Sequence, residues 1–154
     1  MMKFRNIFLS TLLLASLGVH AQTAAPAASA KSAAPDVWKY QTKRLDRAAI
    51  DALLATPGKV LILDVRRPDE VVTKGSFPVY LSVQAADLEK NLAFIPKDRA
   101  IVTLSNHAHR AGAAGDLLAS RGFTVAGAAG SEDYESQGGK ITRITAPPPN
   151  TASK

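Results

Sequence analysis

Two short runs of consecutive apolar or β-branched residues limit the folds that are open to this chain. They cover residues 60–63 (Val-Leu-Ile-Leu) and 101–104 (Ile-Val-Thr-Leu). Such runs are typical of strands that are buried on both faces of a parallel sheet, whereas a half-exposed strand alternates apolar and polar residues. Helical patterns stand between the runs and after the second one. The sequence therefore predicts one α/β domain with a central parallel β-sheet flanked by helices, joined by right-handed connections.

Helix and turn signals locate the other elements. Asp46 is a natural N-cap, and Pro57 and Gly58 end the helix that it begins. Further helices are predicted over 86–94, from the loop at 105–110 up to Gly122, and over 132–136, and further strands over 79–83 and 123–126. Leu88 and Leu92, with Phe94 or Ile95, would form the buried side of the helix at 86–94.

The first 35 residues resemble a targeting segment followed by a linker. Lys3 and Arg5 precede an apolar stretch at 7–17, and Val19-His20-Ala21 is similar to a signal-peptide cleavage site. The competing interpretation is a membrane span. A span needs roughly 20 apolar residues, and this stretch is shorter. We predict a signal peptide over 1–21, an Ala/Pro/Ser linker over 22–35, the folded domain over 36–145 and a Pro-rich tail over 146–154. The protein would then be periplasmic or secreted, with no stable membrane span after cleavage.

Composition narrows the classes of function. The sequence has no cysteine, which excludes disulfides, a thiolate nucleophile and a lipoprotein anchor. Removal of Lys3 and Arg5 leaves 17 basic and 13 acidic residues, a net charge of +4. No basic run contains interleaved aromatic residues, so we predict no nucleic-acid partner, and no motif indicates a cofactor. Trp38 and Tyr40 are expected to cover one edge of the core.

The second apolar run leads into a polar loop and then into a helix of small residues. The backbone N–H groups at the start of a helix lack partners within the helix, and the helix dipole adds positive charge there. Arg110 would add a cation, so the segment predicts an anion-binding loop. That loop consists of Ser105, Asn106, His107, Ala108, His109 and Arg110.

Two polar residues at the end of the first apolar run are expected to support this loop. Asp64 and Arg66 would lie at the carboxyl end of a strand, where α/β sheets place their ligand sites. Asp64 would accept hydrogen bonds from loop N–H groups. Arg66 would form an ion pair with an acid such as Glu70.

Several of these segments resemble the rhodanese-like sulfurtransferase family. Residues 61–70, Leu-Ile-Leu-Asp-Val-Arg-Arg-Pro-Asp-Glu, are similar to its Asp-Val-Arg-x-Pro-x-Glu opening. Residues 75–78, Gly-Ser-Phe-Pro, resemble its Gly-His-Ile-Pro turn, with Ser76 at the His position. Residues 105–110 have the length of its six-residue loop, and 122–130 resemble its last strand and turn. The resemblance covers roughly residues 38–144 and implies a single rhodanese-like domain.

The chain departs from this family at the reactive position. The resemblance implies that a Cys opens the loop in active members and carries sulfane sulfur as a persulfide. Ser105 stands at that position. A thiol of pKa ~8.5 becomes a reactive thiolate at a helix N-terminus, whereas an alcohol stays protonated and its oxygen cannot form a persulfide. We therefore predict no catalytic residue, and a pseudoenzyme whose loop binds a small oxyanion or an envelope protein.

Other interpretations of the loop stay open. In one of them, a partner protein supplies the thiol for a sulfurtransferase-like reaction. Ser105 would otherwise be the nucleophile of a hydrolase or phosphatase with a loop His as its base, although no Gly-x-Ser-x-Gly motif surrounds it. His107 and His109 would reach one Zn²⁺ or Cu²⁺ in an extended loop, but no third ligand stands out, and we predict no metal. Arg110 would alternatively only tie the loop to nearby carbonyl groups.

Overall fold

The computed structural model of the protein describes residues 36–143; the predicted signal peptide, linker and Pro-rich tail lie outside these residues. A four-stranded parallel sheet with the strand order β2-β1-β3-β4 forms the centre of the domain. Its strands are β1 (Val60–Asp64), β2 (Leu81–Ser82), β3 (Ala100–Ser105) and β4 (Val125–Gly130). In the register of the sheet, Val60 lies opposite Ala100 and Asp64 opposite Leu104. The predicted α/β fold class is confirmed.

Helices cover both faces of this sheet. They are α1 (Arg47–Leu54), α2 (Pro68–Lys74), α3 (Ala108–Ser120), α4 (Ser131–Ser136) and two 3₁₀ helices, Ala85–Asp87 and Glu89–Phe94. As predicted, Asp46 caps α1: its side chain accepts a hydrogen bond of 2.9 Å from the backbone N–H of Ala49. Gly122 has a φ of 79° just after α3, as expected for the residue that ends a helix. Within residues 36–143, no helix has the length and the apolar composition needed to cross a bilayer.

Each face of the sheet packs on its own apolar cluster, because successive side chains of a strand point to opposite faces. One cluster includes Ile50, Ile62, Val102, Leu104 and Tyr134. The other includes Leu63, Leu88, Ile101, Ala114 and Leu118. Burial on both faces explains why the strands have unbroken apolar runs instead of an alternating pattern.

Three elements between β1 and β3 in the chain differ from the sequence prediction. The helix α2 was not predicted; it begins at Pro68, and the Glu70 side chain accepts the Arg67 N–H at 3.0 Å. The strand β2 has two residues instead of the five expected over 79–83. The segment 86–94 forms 3₁₀ turns instead of one α-helix, which directs Ile95 into the core and leaves Phe94 exposed.

The last strand is also displaced from its prediction, because it covers 125–130 instead of 123–126. Its Gly and Ala residues carry little strand signal in the sequence. Tertiary contacts determine its position. The N–H of Ala128 donates to the carbonyl of Lys43 at 2.8 Å, and the N–H of Leu45 donates to the carbonyl of Ala128 at 2.9 Å.

The segment 36–45 crosses α3 before it reaches β4. A Cβ atom added to Gly112 would lie 2.5 Å from Tyr40 Cδ2 and 2.7 Å from the Trp38 ring, so only glycine admits these aromatic side chains. Asp116 of α3 accepts hydrogen bonds of 2.7 Å from both the N–H and the hydroxyl of Thr42. The small residues of α3 thus allow this segment to pack close to the helix. Trp38 and Tyr40 cover the helix surface there.

Candidate functional site

A fully buried ion pair joins the carboxyl ends of three strands. Arg66 donates to both carboxylate oxygens of Asp64, at 2.9 Å from Nε and 2.7 Å from Nη2. Its Nη1 donates to Asn106 after β3 at 3.2 Å and to Ser131 at the end of β4 at 3.1 Å. The hydroxyl of Ser76 donates to Asp64 at 2.8 Å. A buried pair is stable only when its remaining polar atoms have partners, and these neighbours supply them.

Ser105, the residue at the reactive position, is the last residue of β3 and only 1 % exposed. Its hydroxyl donates to the carbonyl oxygen of His107 at 2.5 Å and accepts from the N–H of Ala111 at 3.0 Å. A serine nucleophile needs a base within hydrogen-bond reach. Here His107 contributes its backbone carbonyl and not its ring, so the geometry leaves Ser105 unactivated.

The predicted six-residue loop is shorter in the structure. The helix α3 begins at Ala108, so His109 and Arg110 belong to its first turn. Only Asn106 and His107 connect the strand to the helix. Residues 105–110 therefore consist of a strand end, a two-residue connection and a helical turn, which limits how many N–H groups face one point.

Glu70 holds the guanidinium group of Arg110. Arg110 donates to the two carboxylate oxygens at 3.0 and 2.9 Å, and Asn106 donates to the same carboxylate at 2.7 Å. The hydrogen bonds from Arg110 lower the pKa of Glu70 to about 2. The sequence predicted that Arg66 pairs with an acid such as Glu70; the acid is Asp64, which lies two residues from Arg66 and is buried beside it, whereas Glu70 pairs with Arg110. The cation expected to attract an oxyanion is thus already paired.

A second carboxylate lies at the amino end of α3. Asp133 accepts the N–H of Ala108 at 3.1 Å, and its other oxygen lies 2.8 Å from Nδ1 of His107. Arg44 donates to it at 3.2 Å. Burial raises the pKa of Asp133, but the hydrogen bonds from His107, the Ala108 N–H and Arg44 outweigh burial and lower it. The protein therefore supplies its own anion to the helix N-terminus.

The two loop histidines point to different partners. His107 lies between Asp133 and Glu132, with Nε2 at 3.4 Å from the Glu132 carboxylate. His109 hydrogen-bonds to Asp36 and packs against the Trp38 ring, with ring centroids 5.5 Å apart. Among the residues that the structure describes, no three His, Cys, Asp or Glu side chains are arranged to hold a metal ion. The shared site that the His spacing suggested is not formed in this geometry.

Sequence reasoning missed the acidic side of the site. Glu132 and Asp133 lie in the first turn of α4, which begins directly after β4, at the same edge of the sheet as Asp64 and Ser105. The rule that ligand sites lie at strand carboxyl ends would have found them if β4 had been placed correctly. Lys74 forms a hydrogen bond to Glu132 and lowers its pKa. Across residues 36–143, every buried side-chain nitrogen and oxygen has a hydrogen-bond partner.

Solved structures share this architecture over about two thirds of the chain. A rhodanese-related protein from Thermoplasma volcanium is 21% identical, with a TM-score of 0.54 over 65% of this chain and 97% of its own. A rhodanese-like domain protein from Staphylococcus aureus is 19% identical, with a TM-score of 0.55 over 65% and 98%. The described domain has the rhodanese-like fold. A full-length protein from Lactobacillus plantarum is 24% identical, with a TM-score of 0.51 over 66% and 88%.

The resemblance seen in the sequence motifs is thereby confirmed at the level of the fold. No protein-family model and no curated protein matches the sequence. Identities of this size show the fold alone, and function must be argued from the site. The site of this rhodanese-like domain has Ser105 at the reactive position, in a chain without cysteine.

Proposed function

We propose that this rhodanese-like domain does not carry sulfur itself and works as a protein-binding module. The observation that carries the proposal is the hydroxyl of Ser105, which is buried, donates to the carbonyl of His107 and accepts from the N–H of Ala111 in α3. A persulfide needs a cysteine sulfur atom at this position, and the chain contains no cysteine that could provide one. The domain would thus have kept the scaffold without the sulfur-carrying group.

A protein partner agrees better with the charges of the site than a small oxyanion does. The carboxylate of Glu70 already accepts hydrogen bonds from Arg110. The carboxylate of Asp133 already accepts one from the first N–H of α3. An incoming sulfate or phosphate would have to displace one carboxylate and would be repelled by the other. His107 remains 64 % exposed, which suits a surface contact. Oxyanion binding by residues 105–110 stays a prediction with its own test below.

The proposal includes export, with a periplasmic or secreted protein as its product. Its support is the sequence pattern of residues 1–21, in which basic residues precede an apolar stretch and a small-residue cleavage site. We expect the N-terminal sequence of the protein from the cell envelope fraction to begin at Gln22. A chain that retains residues 1–21 and pellets with membranes would support the anchor instead.

The sulfur-transfer part is tested with thiosulfate and cyanide. We expect no thiocyanate above the protein-free blank, whereas a cysteine-containing rhodanese assayed in parallel is active. After thiosulfate treatment, the intact mass should show no addition of about 32 Da, the mass of one sulfur atom. Protein-dependent thiocyanate or a stable added sulfur atom would refute the proposal. Fluorogenic esters and phosphates should likewise show no turnover that is lost in Ser105→Ala.

A further inference from the structure

A second concave surface lies at the opposite end of β1 from the Ser105 site. It is a groove of about 320 Å³ between the end of α1, the start of β1 and the segment before β2. Its lining includes Leu53, Leu54, Val60, Ile62, Val79 and Arg99, and we call it the edge groove. Four residue steps along β1 separate Val60 from Asp64, roughly 13 Å at the rise of a strand. The edge groove is therefore distinct from the buried ion pair.

The lining of the edge groove includes the part of β1 with which β2 does not pair, at Val60, whose residue as a whole is 9 % exposed. The strand β2 pairs only with Leu63 and Asp64, so within the described residues no strand accompanies Val60 on that side. The carbonyl of Lys59 accepts from the N–H of Ala100 in β3. Since alternate residues of a parallel strand bond to opposite sides, Val60 directs its backbone groups away from β3 and into the open side. An open edge of this kind is a template for an added strand.

The walls and the rim of the edge groove show what kind of segment fits it. Its lining is mostly aliphatic, and Val79 on one wall is 75 % exposed. Arg99 is one of its lining residues, and Lys59 directly precedes Val60, just as Arg99 directly precedes the residue opposite Val60, Ala100, in the register of β1 and β3. Among residues 36–143, no carboxylate lies within 4.0 Å of either cation, although exposed Asp98 adjoins Arg99 in the sequence. The groove thus combines apolar walls with unpaired positive charge.

We propose that the edge groove binds an extended segment of a partner protein that is apolar in its middle and acidic at its ends. The segment would add a short strand beside Val60, place alternate apolar side chains against Val79, and set its carboxylates near Lys59 and Arg99. A concave groove fits side chains better than it fits a flat bilayer. This inference deepens the proposed function and rests on it only in requiring that the protein binds another protein.

The probe is a fluorescein-labelled nonapeptide, Glu-Glu-Val-Thr-Val-Thr-Val-Glu-Glu, titrated into the purified protein. We expect saturable binding and shifts of the Val60 and Ile62 amide signals in NMR spectra. Affinity should fall about tenfold or more in Val79→Asp and roughly threefold to tenfold in Arg99→Glu, because these variants change the wall and the rim. Val72→Asp, another exposed valine (56 %) outside the groove, and Lys43→Glu are matched controls that should bind normally.

Two modified probes separate strand addition from general stickiness. A peptide with Lys in place of every Glu, and one N-methylated at alternate backbone positions, should bind at least about tenfold more weakly. Equal binding of the three peptides, or no binding at millimolar concentration, would overturn the inference. So would Val79-dependent binding to vesicles of anionic lipid, or a Val79-dependent dimer in sedimentation. The thiosulfate assay is independent of all these results, so failure here leaves the absence of sulfur transfer standing.

Discussion

Glu70 and Arg110 are 40 positions apart in the chain, yet they form a two-pronged ion pair across the mouth of the site. Glu70 comes from the first turn of α2 and Arg110 from the first turn of α3. The pair joins the two helices that follow β1 and β3 and neutralises the guanidinium of Arg110. Because that guanidinium is engaged from within the protein, the site is organised around internal charge pairs.

The ionised form of Glu70 should stabilise the protein in a pH-dependent way. Its pKa is about 2 in the folded protein against 4.5 when unperturbed, so the stabilisation is present above pH 4.5 and is lost as the pH falls toward 2. Taken in full this shift corresponds to about 3 kcal/mol, and we expect roughly 1–2 kcal/mol because solvent screens Arg110, which is 37 % exposed.

Urea unfolding of Glu70→Gln and of the original protein at pH 7, 5, 4 and 3 measures this contribution. The difference between the two should shrink as the pH falls. Glu89→Gln removes a carboxylate from an exposed pair with Arg121 and serves as the control, with an expected effect of a few tenths of a kcal/mol. A Glu70→Gln difference that does not change with pH would contradict the assigned cause.

Removing one member of the buried pair should be severely destabilising. Arg66→Leu leaves Asp64 as an uncompensated buried charge and removes the donors to Asn106 and Ser131, for an expected loss of about 3–5 kcal/mol. The double variant Asp64→Leu, Arg66→Leu should lose less than the sum of the single variants, because no lone charge remains buried. Thermal unfolding of the three variants decides this; additive losses would mean that the charges are not coupled.

Gly112→Ala should destabilise the protein although it raises helix propensity. In an exposed helix this change normally stabilises by up to ~1 kcal/mol, but here the added Cβ would lie 2.5 Å from the Tyr40 ring. We expect a loss of at least about 1 kcal/mol and a red shift of Trp38 emission, since the aromatic segment must move away. Trp38 is the only tryptophan, so the signal is unambiguous. Gly58→Ala, which meets no atom within 4 Å, should leave the emission unchanged.

Asp133→Ala should turn the amino end of α3 into a site for sulfate. Its carboxylate now accepts the Ala108 N–H and lies beside His107, and its removal frees both groups and lowers stability by about 1 kcal/mol. Sulfate should then raise the melting temperature of Asp133→Ala more than that of the original protein, because only the variant offers the freed groups to sulfate. The general stabilising effect of the salt acts on both proteins and cancels in the comparison. An original protein that responds to sulfate at least as strongly would instead support oxyanion binding by residues 105–110.

A cysteine at position 105 should be unreactive in the folded protein. Ser105 is almost inaccessible to solvent, so Ser105→Cys is expected to react with a disulfide reagent at least roughly tenfold more slowly than His107→Cys, which is solvent-exposed. The two should react equally in urea, and Ser105→Cys should not form thiocyanate from thiosulfate. Restored turnover would show that the site still admits substrate and that only the sulfur atom is missing.

The sequence alone determined the class of fold, the first helix and the absence of a cysteine thiol. Unbroken apolar runs, the Asp46 cap and Gly122 are local signals, because strand burial, helix capping and positive φ depend on residues that are close in the chain. The absence of cysteine is likewise read directly from the sequence. Local signals could not predict the positions of β2 and β4, because these strands are placed by pairing with segments that are distant in the chain.

Only the tertiary structure decided how charges are distributed around the site. Asp64 and Arg66 are two residues apart, but burial of both side chains is what makes them partners. Asp133 reaches the start of α3 from 25 positions away, and Glu70 reaches Arg110 from 40. An ion pair forms between groups that are close in space and shielded from water, and chain order specifies neither distance nor shielding. The unpaired edge of β1 is likewise a tertiary feature, because it depends on how few residues of β1 pair with β2.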